Sequence, residues 1–146
     1  MAQIRVLILV AVVCAVMKKS HAVTEEEHKE MHELMMPIVV ECSEQHGSKP
    51  DDIIAVKESK DVDGMDSCLI DCVFKKIGIM NDDGMFVVEK FTENMNKIMK
   101  KDGDSAKIDD LAKHCASVND KDSDDKCGRS KALLACLMEQ KDALGL

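Results

Sequence analysis

Met65-Asp66-Ser67-Cys68-Leu69-Ile70-Asp71-Cys72-Val73-Phe74-Lys75-Lys76-Ile77 reads as a helix whose apolar stripe, Leu69, Val73 and Ile77, stops at Gly78. Cys68 and Cys72 stand four apart on it, so both project from successive turns of one face. That arrangement does not bring two sulfurs into disulfide geometry with each other. Each cysteine is therefore expected to bond elsewhere, which ties two other segments to this helix.

Whether those cysteines are oxidised depends on the compartment, and the N-terminus speaks to that. Met1 to Arg5 is a short basic region, and Val6 to Val16 is an unbroken apolar run of 11 residues. The run is too short to span a bilayer and has the flanks of a signal peptide. Ser20 and Ala22 supply small residues for a cut after Ala22, so residues 1–22 are expected to be removed and residues 23–146 to form one domain. Cleavage takes away Cys14 and turns seven cysteines into six: Cys42, Cys68, Cys72, Cys115, Cys127 and Cys136. An even count in a secreted chain predicts a fully paired framework. Six cysteines allow 15 pairings. Excluding Cys68 with Cys72, and Cys127 with Cys136 because they fall on opposite faces of one continuous helix, leaves ten.

The mature chain of 124 residues suits a single domain that buries roughly two-thirds of its unfolded surface. Removing residues 1–22 also takes away Arg5, Lys18 and Lys19 but no acid, so the net charge of −8 becomes −11. Nucleic acid and anionic membrane surfaces are excluded as partners by that field, and no second stretch is long and apolar enough to insert in a membrane.

The remaining chain reads as helical throughout, with no Trp or Tyr and three Phe. Thr24-Glu25-Glu26-Glu27 fits a capping box. The helix it opens carries Met31, Met35, Ile38 and Cys42 on one face, kinks at Pro37 and ends at Gly47. Asp51-Asp52 opens a second helix through about Ser59. After the third, Met65 to Ile77, Asn81 to Gly84 is a turn. Val87 to Lys101 is a fourth helix with Val88, Phe91, Met95 and Ile98 on one face, Lys100 and Lys101 at its negative end and Gly103 beyond. Ser105 caps a fifth that carries Ile108, Leu111, Ala112, Cys115 and Val118. An acidic loop, Asn119 to Lys126, leads to a sixth helix from Arg129 to Ala143.

The cysteine intervals, 25, 3, 42, 11 and 8 residues in order, resemble the six-cysteine signature of the insect odorant-binding proteins, the pheromone-binding and general odorant-binding proteins among them. The resemblance covers the whole mature chain. It implies an all-α, six-helix domain with interlocked bridges Cys42 to Cys72, Cys68 to Cys127 and Cys115 to Cys136 around an apolar cavity. It implies a carrier of small apolar ligands (odorants, pheromones or related compounds) that delivers them to an olfactory receptor, secreted into a fluid such as sensillum lymph, and present as a monomer or weak homodimer. The alternatives are a carrier or scavenger of hydrophobic metabolites outside olfaction, or a protein-interaction module on the same scaffold.

By offset from the framework cysteines, the family's pocket positions fall near Met35, Phe74 and Leu137, and helical phase adds Met31, Ile38, Val73, Val88, Phe91, Met95, Ile98, Leu111, Leu133 and Leu134. The mature chain has nine methionines, whose flexible thioethers suit a wall that fits ligands of varied shape. Phe74 stands where moth pheromone-binding relatives place a small hydroxyl residue, so a largely apolar, broadly selective pocket is expected. No cofactor, metal or catalytic residue is expected. The third helix lacks the histidine of a secreted phospholipase, and counting back from Gly64 and Gly84 puts Ser59 and Ile79 at the first ligand position of a calcium loop. Zinc on Cys68 and Cys72 conflicts with an oxidising compartment. Histidine is the side-chain type suited to a pH switch, and the mature chain offers His28, His32, His46 and His114 as candidates. The tail, Asp142 to Leu146, is too short to refill a pocket as a helix and is expected to pack at its mouth through Leu144 and Leu146.

Overall fold

The computed structural model describes residues 25–59, 61–99, 105–121, 125 and 127–144, including every side chain among them except 54, 56–59 and 144. The expected signal peptide, Thr24, Lys100, Lys101, Gly103, part of the acidic loop, the Leu144 side chain and Leu146 lie outside the described residues.

Among the described residues six α-helices follow one another: α1 (Glu25–His46), α2 (Pro50–Ser59), α3 (Ser67–Lys76), α4 (Val88–Ile98), α5 (Ser105–Cys115) and α6 (Gly128–Leu144), with a 3-10 turn, Ala116–Asp120, after α5. The helical run therefore tightens after Cys115 instead of continuing evenly to Val118. α1 passes through Pro37 without a break in its assignment. It ends where Gly47 adopts φ 65°, while the Ser48 amide donates to the Ser43 carbonyl at 2.9 Å. α3 ends the same way: Gly78 has φ 82°, and the Ile79 amide reaches the Phe74 carbonyl at 3.1 Å. Both are six-to-one closures that need a left-handed residue, which glycine supplies without a Cβ clash.

Two helices start later than the sequence reading puts them, each for a local reason. α3 begins at Ser67, two residues after Met65, because the Asp66 carboxylate accepts the Cys68 amide at 2.9 Å and caps the helix there. Met65 is instead a buried loop residue. α4 begins at Val88 because Val87 is extended (φ −101°, ψ 93°), its amide paired with the Ile79 carbonyl at 2.8 Å beside a bridge that joins Met80 to Phe86 across the Asn81 to Gly84 turn.

α3 sits at the centre, packed on α1 and on α6, while α5 joins α4 to α6 and α2 leans on α1. The bridges staple this order. Cys42 to Cys72 joins α1 to α3, Cys68 to Cys127 joins α3 to the entrance of α6, and Cys115 to Cys136 joins α5 to α6, with Cα atoms 5.8, 4.8 and 5.8 Å apart. This is the interlocked pairing that the cysteine spacing resembles. Between the helices lies one buried apolar cluster containing Leu69, Val73, Phe74, Phe91, Ile108, Leu111 and Leu133.

Polar side chains fasten the loops to this frame. Arg129 donates from Nε to the Val118 carbonyl at 3.1 Å, from one terminal nitrogen to Gly84 at 2.8 Å and from the other to Lys121 at 2.9 Å. A planar fork reaches three carbonyls at once, whereas an ammonium on a flexible stem does not. Arg129→Lys is accordingly expected to cost about 2 kcal/mol, the order of one lost hydrogen bond to a charged group, read as a lower urea midpoint with unchanged slope. An unchanged midpoint would show that the clamp contributes nothing. The Asn119 side chain acts as a surrogate strand for Phe86, accepting its amide at 2.8 Å and donating to its carbonyl at 2.9 Å.

Candidate ligand-binding site

Between α1 and Ile53 of α2 lies a cleft of about 190 Å³ lined by His28, Met31, His32, Met35, Met36, Val39 and Ile53. Six of these residues come from one side of α1, at the i, i+3, i+4 recurrence that makes a helical stripe. Its surface is almost entirely carbon and sulfur. Val39 is buried in the central cluster, and Met35 and Ile53 pack against it, so the floor of the cleft is the core itself.

Other hollows have a different chemistry. A space of about 350 Å³ between the 61–63 loop and α6 is walled by Asp61, Asp63, Glu139 and Asp142 as well as Val62, Ala135 and Met138. Another, of about 390 Å³, includes Asp52, Asp61 and Asp66. Desolvating carboxylates against hydrocarbon is costly, so neither suits an apolar guest.

The expected pocket residues divide in the structure. Met31 and Met35 line the cleft. Val73, Phe74, Phe91, Leu111 and Leu133 belong to the buried cluster, and Ile38, Val88, Met95, Leu134 and Leu137 pack against it partly buried. Ile98 is half-buried towards the end of α4. Leu133 has 0% exposure, which means no water-sized space touches it, so in this conformation it is packed core and not pocket wall. Helical phase identifies the inward face but does not separate a wall from the packing behind it. His28 and His32 are at the cleft, whereas His46 is set beside Asp66, its Nδ1 3.8 Å from that carboxylate, and His114 is exposed on α5.

The sequence reading passed over Ser43. Its hydroxyl is fully buried on α1, four residues beyond Val39, with no hydrogen-bond partner among the described residues. A serine beside a framework cysteine carries no distinctive signal, and its burial depends on the helices that cover it. Away from the cleft, Lys97 and then Lys90 hold the Glu93 carboxyl below its usual range by hydrogen bonding and charge on the outer side of α4. That contact favours the fold in full above the normal carboxylate range, and its contribution is lost as the pH falls from there through the lowered value of Glu93.

Among known proteins, the profile of the PBP/GOBP family matches residues 24–140. The solved structure of the odorant-binding protein dmelOBP28a from Drosophila melanogaster superposes with a TM-score of 0.67 at 23% identity, covering 81% of this chain and 98% of that one. No curated protein matches the sequence.

Proposed function

Because this chain belongs to the PBP/GOBP family, whose members are small odorant-binding carriers and not enzymes, we propose that it is a secreted carrier that solubilises small hydrophobic semiochemicals and hands them to an olfactory receptor. Residues 1–22 are its signal peptide, and residues 23–146 are the carrier. The observation that carries this reading is the α1 cleft, an opening of thioethers, imidazole edges and aliphatic carbon laid directly on the core.

At about 190 Å³ the cleft is smaller than the roughly 300–1,000 Å³ of drug-sized sites, so a longer ligand must push side chains apart to bind. Met31, Met35 and Met36 stand where that happens, and unbranched thioethers rearrange at little cost. The chain of the ligand then runs from Met31 and Met35 towards Phe74, Phe91 and Met95. A micromolar complex needs about 8 kcal/mol in all, while each buried methylene contributes about 0.8. Some ten carbons therefore supply the net affinity, and additional carbons offset the ordering costs of binding.

Displacement of an apolar fluorescent probe by C8 to C18 hydrocarbons, alcohols, aldehydes and acids tests this. Affinity is expected to follow carbon number and to vary little with head group. Met35→Asp places an unpaired carboxylate on the cleft floor and is expected to weaken probe binding more than about tenfold with the helical signal retained, since burying an unpaired polar group costs at least 1 to 3 kcal/mol. Binding restricted to alcohols would overturn the apolar reading and direct attention to the Ser43 hydroxyl. Unchanged affinity in Met35→Asp would remove the cleft from the route.

A further inference from the structure

The same cleft carries a second chemistry. His28, Met31, His32 and Met35 stand at i, i+3, i+4 and i+7 of α1, and all four line one opening. Every neighbouring pair in this set is three or four residues apart: His28 with Met31, His28 with His32, Met31 with Met35 and His32 with Met35. Such pairs hold their Cβ atoms about 5 to 6 Å apart on a helix, close enough for two long side chains to meet at one atom between them. Two imidazoles and two thioethers therefore share one face of α1 and line one opening, with Met36 beside them. Among the described residues no three His, Cys, Asp or Glu side chains gather in a way that could hold a metal ion. The donors that this opening does offer, imidazole and thioether, are those of a soft cation. Thioether sulfur selects copper(I), and imidazole supports it.

We propose that His28, Met31, His32 and Met35 form a binding site for a soft monovalent d10 cation, copper(I) by its ligand chemistry. The surroundings agree with that charge and softness. The walls are nearly all carbon and sulfur, which favours a weakly hydrated monovalent ion over a strongly hydrated divalent one. Thioethers, unlike thiols, cannot be consumed as disulfides in an oxidising compartment, where the six framework cysteines are already paired. The ammonium of Lys29, next to His28 in the chain, is engaged with Glu33 at 3.7 Å. No electron transfer is required: the ion enters and leaves in one oxidation state. The site uses side chains that also receive cargo, but it stands without the carrier reading, because an ion needs only the outer turns of α1 and not an opened core.

Titration of the disulfide-bonded chain with silver(I), a redox-inert substitute, and with copper(I) under ascorbate without air tests the assignment. The methionine methyl groups are followed by NMR. One ion per chain is expected, with the Met31 and Met35 methyl signals shifted and those of Met80 and Met99, buried in the central cluster, unmoved. Met31→Leu with Met35→Leu preserves volume and apolar character, and together they are expected to weaken binding more than about tenfold. Even outer-sphere partners of a metal are worth about 10- to 100-fold. His32→Gln is expected to do the same. Absence of binding, unmoved Met31 and Met35 methyls, or equal affinity in the leucine variant would overturn the proposal, and so would tighter binding of zinc(II) than of silver(I). Loss of apolar-probe binding alone would count against the carrier reading and leave the metal site intact.

Discussion

Cys68→Ser combined with Cys127→Ser is expected to lower the unfolding free energy by about 4 kcal/mol, against roughly 3.5 for the Cys42 and Cys72 pair and 3 for the Cys115 and Cys136 pair. The order follows from the segments closed, which span 59, 30 and 21 residues. Cross-linking removes more freedom from the unfolded chain when the loop is long, although the dependence is logarithmic and the three values stay close. The longest bridge also holds α3 to the entrance of α6, next to the Arg129 clamp. Domains of this size have about 5 to 15 kcal/mol in total, so loss of one bridge removes a large share and loss of all three leaves no stable fold. Urea unfolding of the three paired-serine variants measures the order. Equal losses, or the largest for the shortest loop, would show that native-state contacts around the sulfurs outweigh loop length.

Asp71→Ala is expected to cost about 3 kcal/mol, towards the lower end for breaking a buried ion pair. Asp71 is 6% exposed on α3, and its two carboxylate oxygens accept the Ser130 hydroxyl at 2.6 Å and the Lys75 ammonium at 2.7 Å. The substitution leaves the Ser130 hydroxyl, itself 0% exposed, without that acceptor in the α3 to α6 contact. Lys75 is about a third exposed and regains water, which keeps the loss from being larger. Since Asp71 and Ser130 share one hydrogen bond, the double variant with Ser130→Ala is expected to lose less than the sum of the two single losses, by about 1 kcal/mol. Additive losses in urea would show that the two residues act independently.

Legibility varied with distance along the chain. The six helices, the capping carboxylates at the start of α2 and the glycine stops at Gly47 and Gly78 are local features, set by propensity and by interactions within one or two turns, and they stand close to where the pattern puts them. The starts of α3 and α4 moved because Asp66 and Ile79 compete for amides at the boundary, a choice among nearby acceptors that periodicity does not rank. The bridges show the same limit. Helical phase excludes Cys68 from pairing with Cys72 but leaves ten arrangements, and it took the resemblance to an established cysteine pattern to narrow them.

Interactions that join remote segments gave no advance signal. Asp71 and Ser130 are 59 residues apart, and Arg129 and Gly84 are 45 apart; each residue alone looks like an ordinary polar position. The inward faces were legible because burial imposes the 3.6-residue period on each helix. Which inward residues face space and which face each other was not. Leu133 and Met35 have the same signature in one dimension, yet one is sealed by neighbouring helices and the other floors a cleft.

From its sequence alone, then, this protein is specified as an oxidised, acidic, six-helix domain with a methionine-rich interior, because charge, cysteine parity and amphipathic phase are properties of the chain. The shared face of His28, Met31, His32 and Met35 follows from helical phase, but the cleft it lines and the buried Asp71 pair belong to the folded molecule. They depend on how α2, α3 and α6 lie against the faces that phase defines, and packing between helices settles that only when all of them are present.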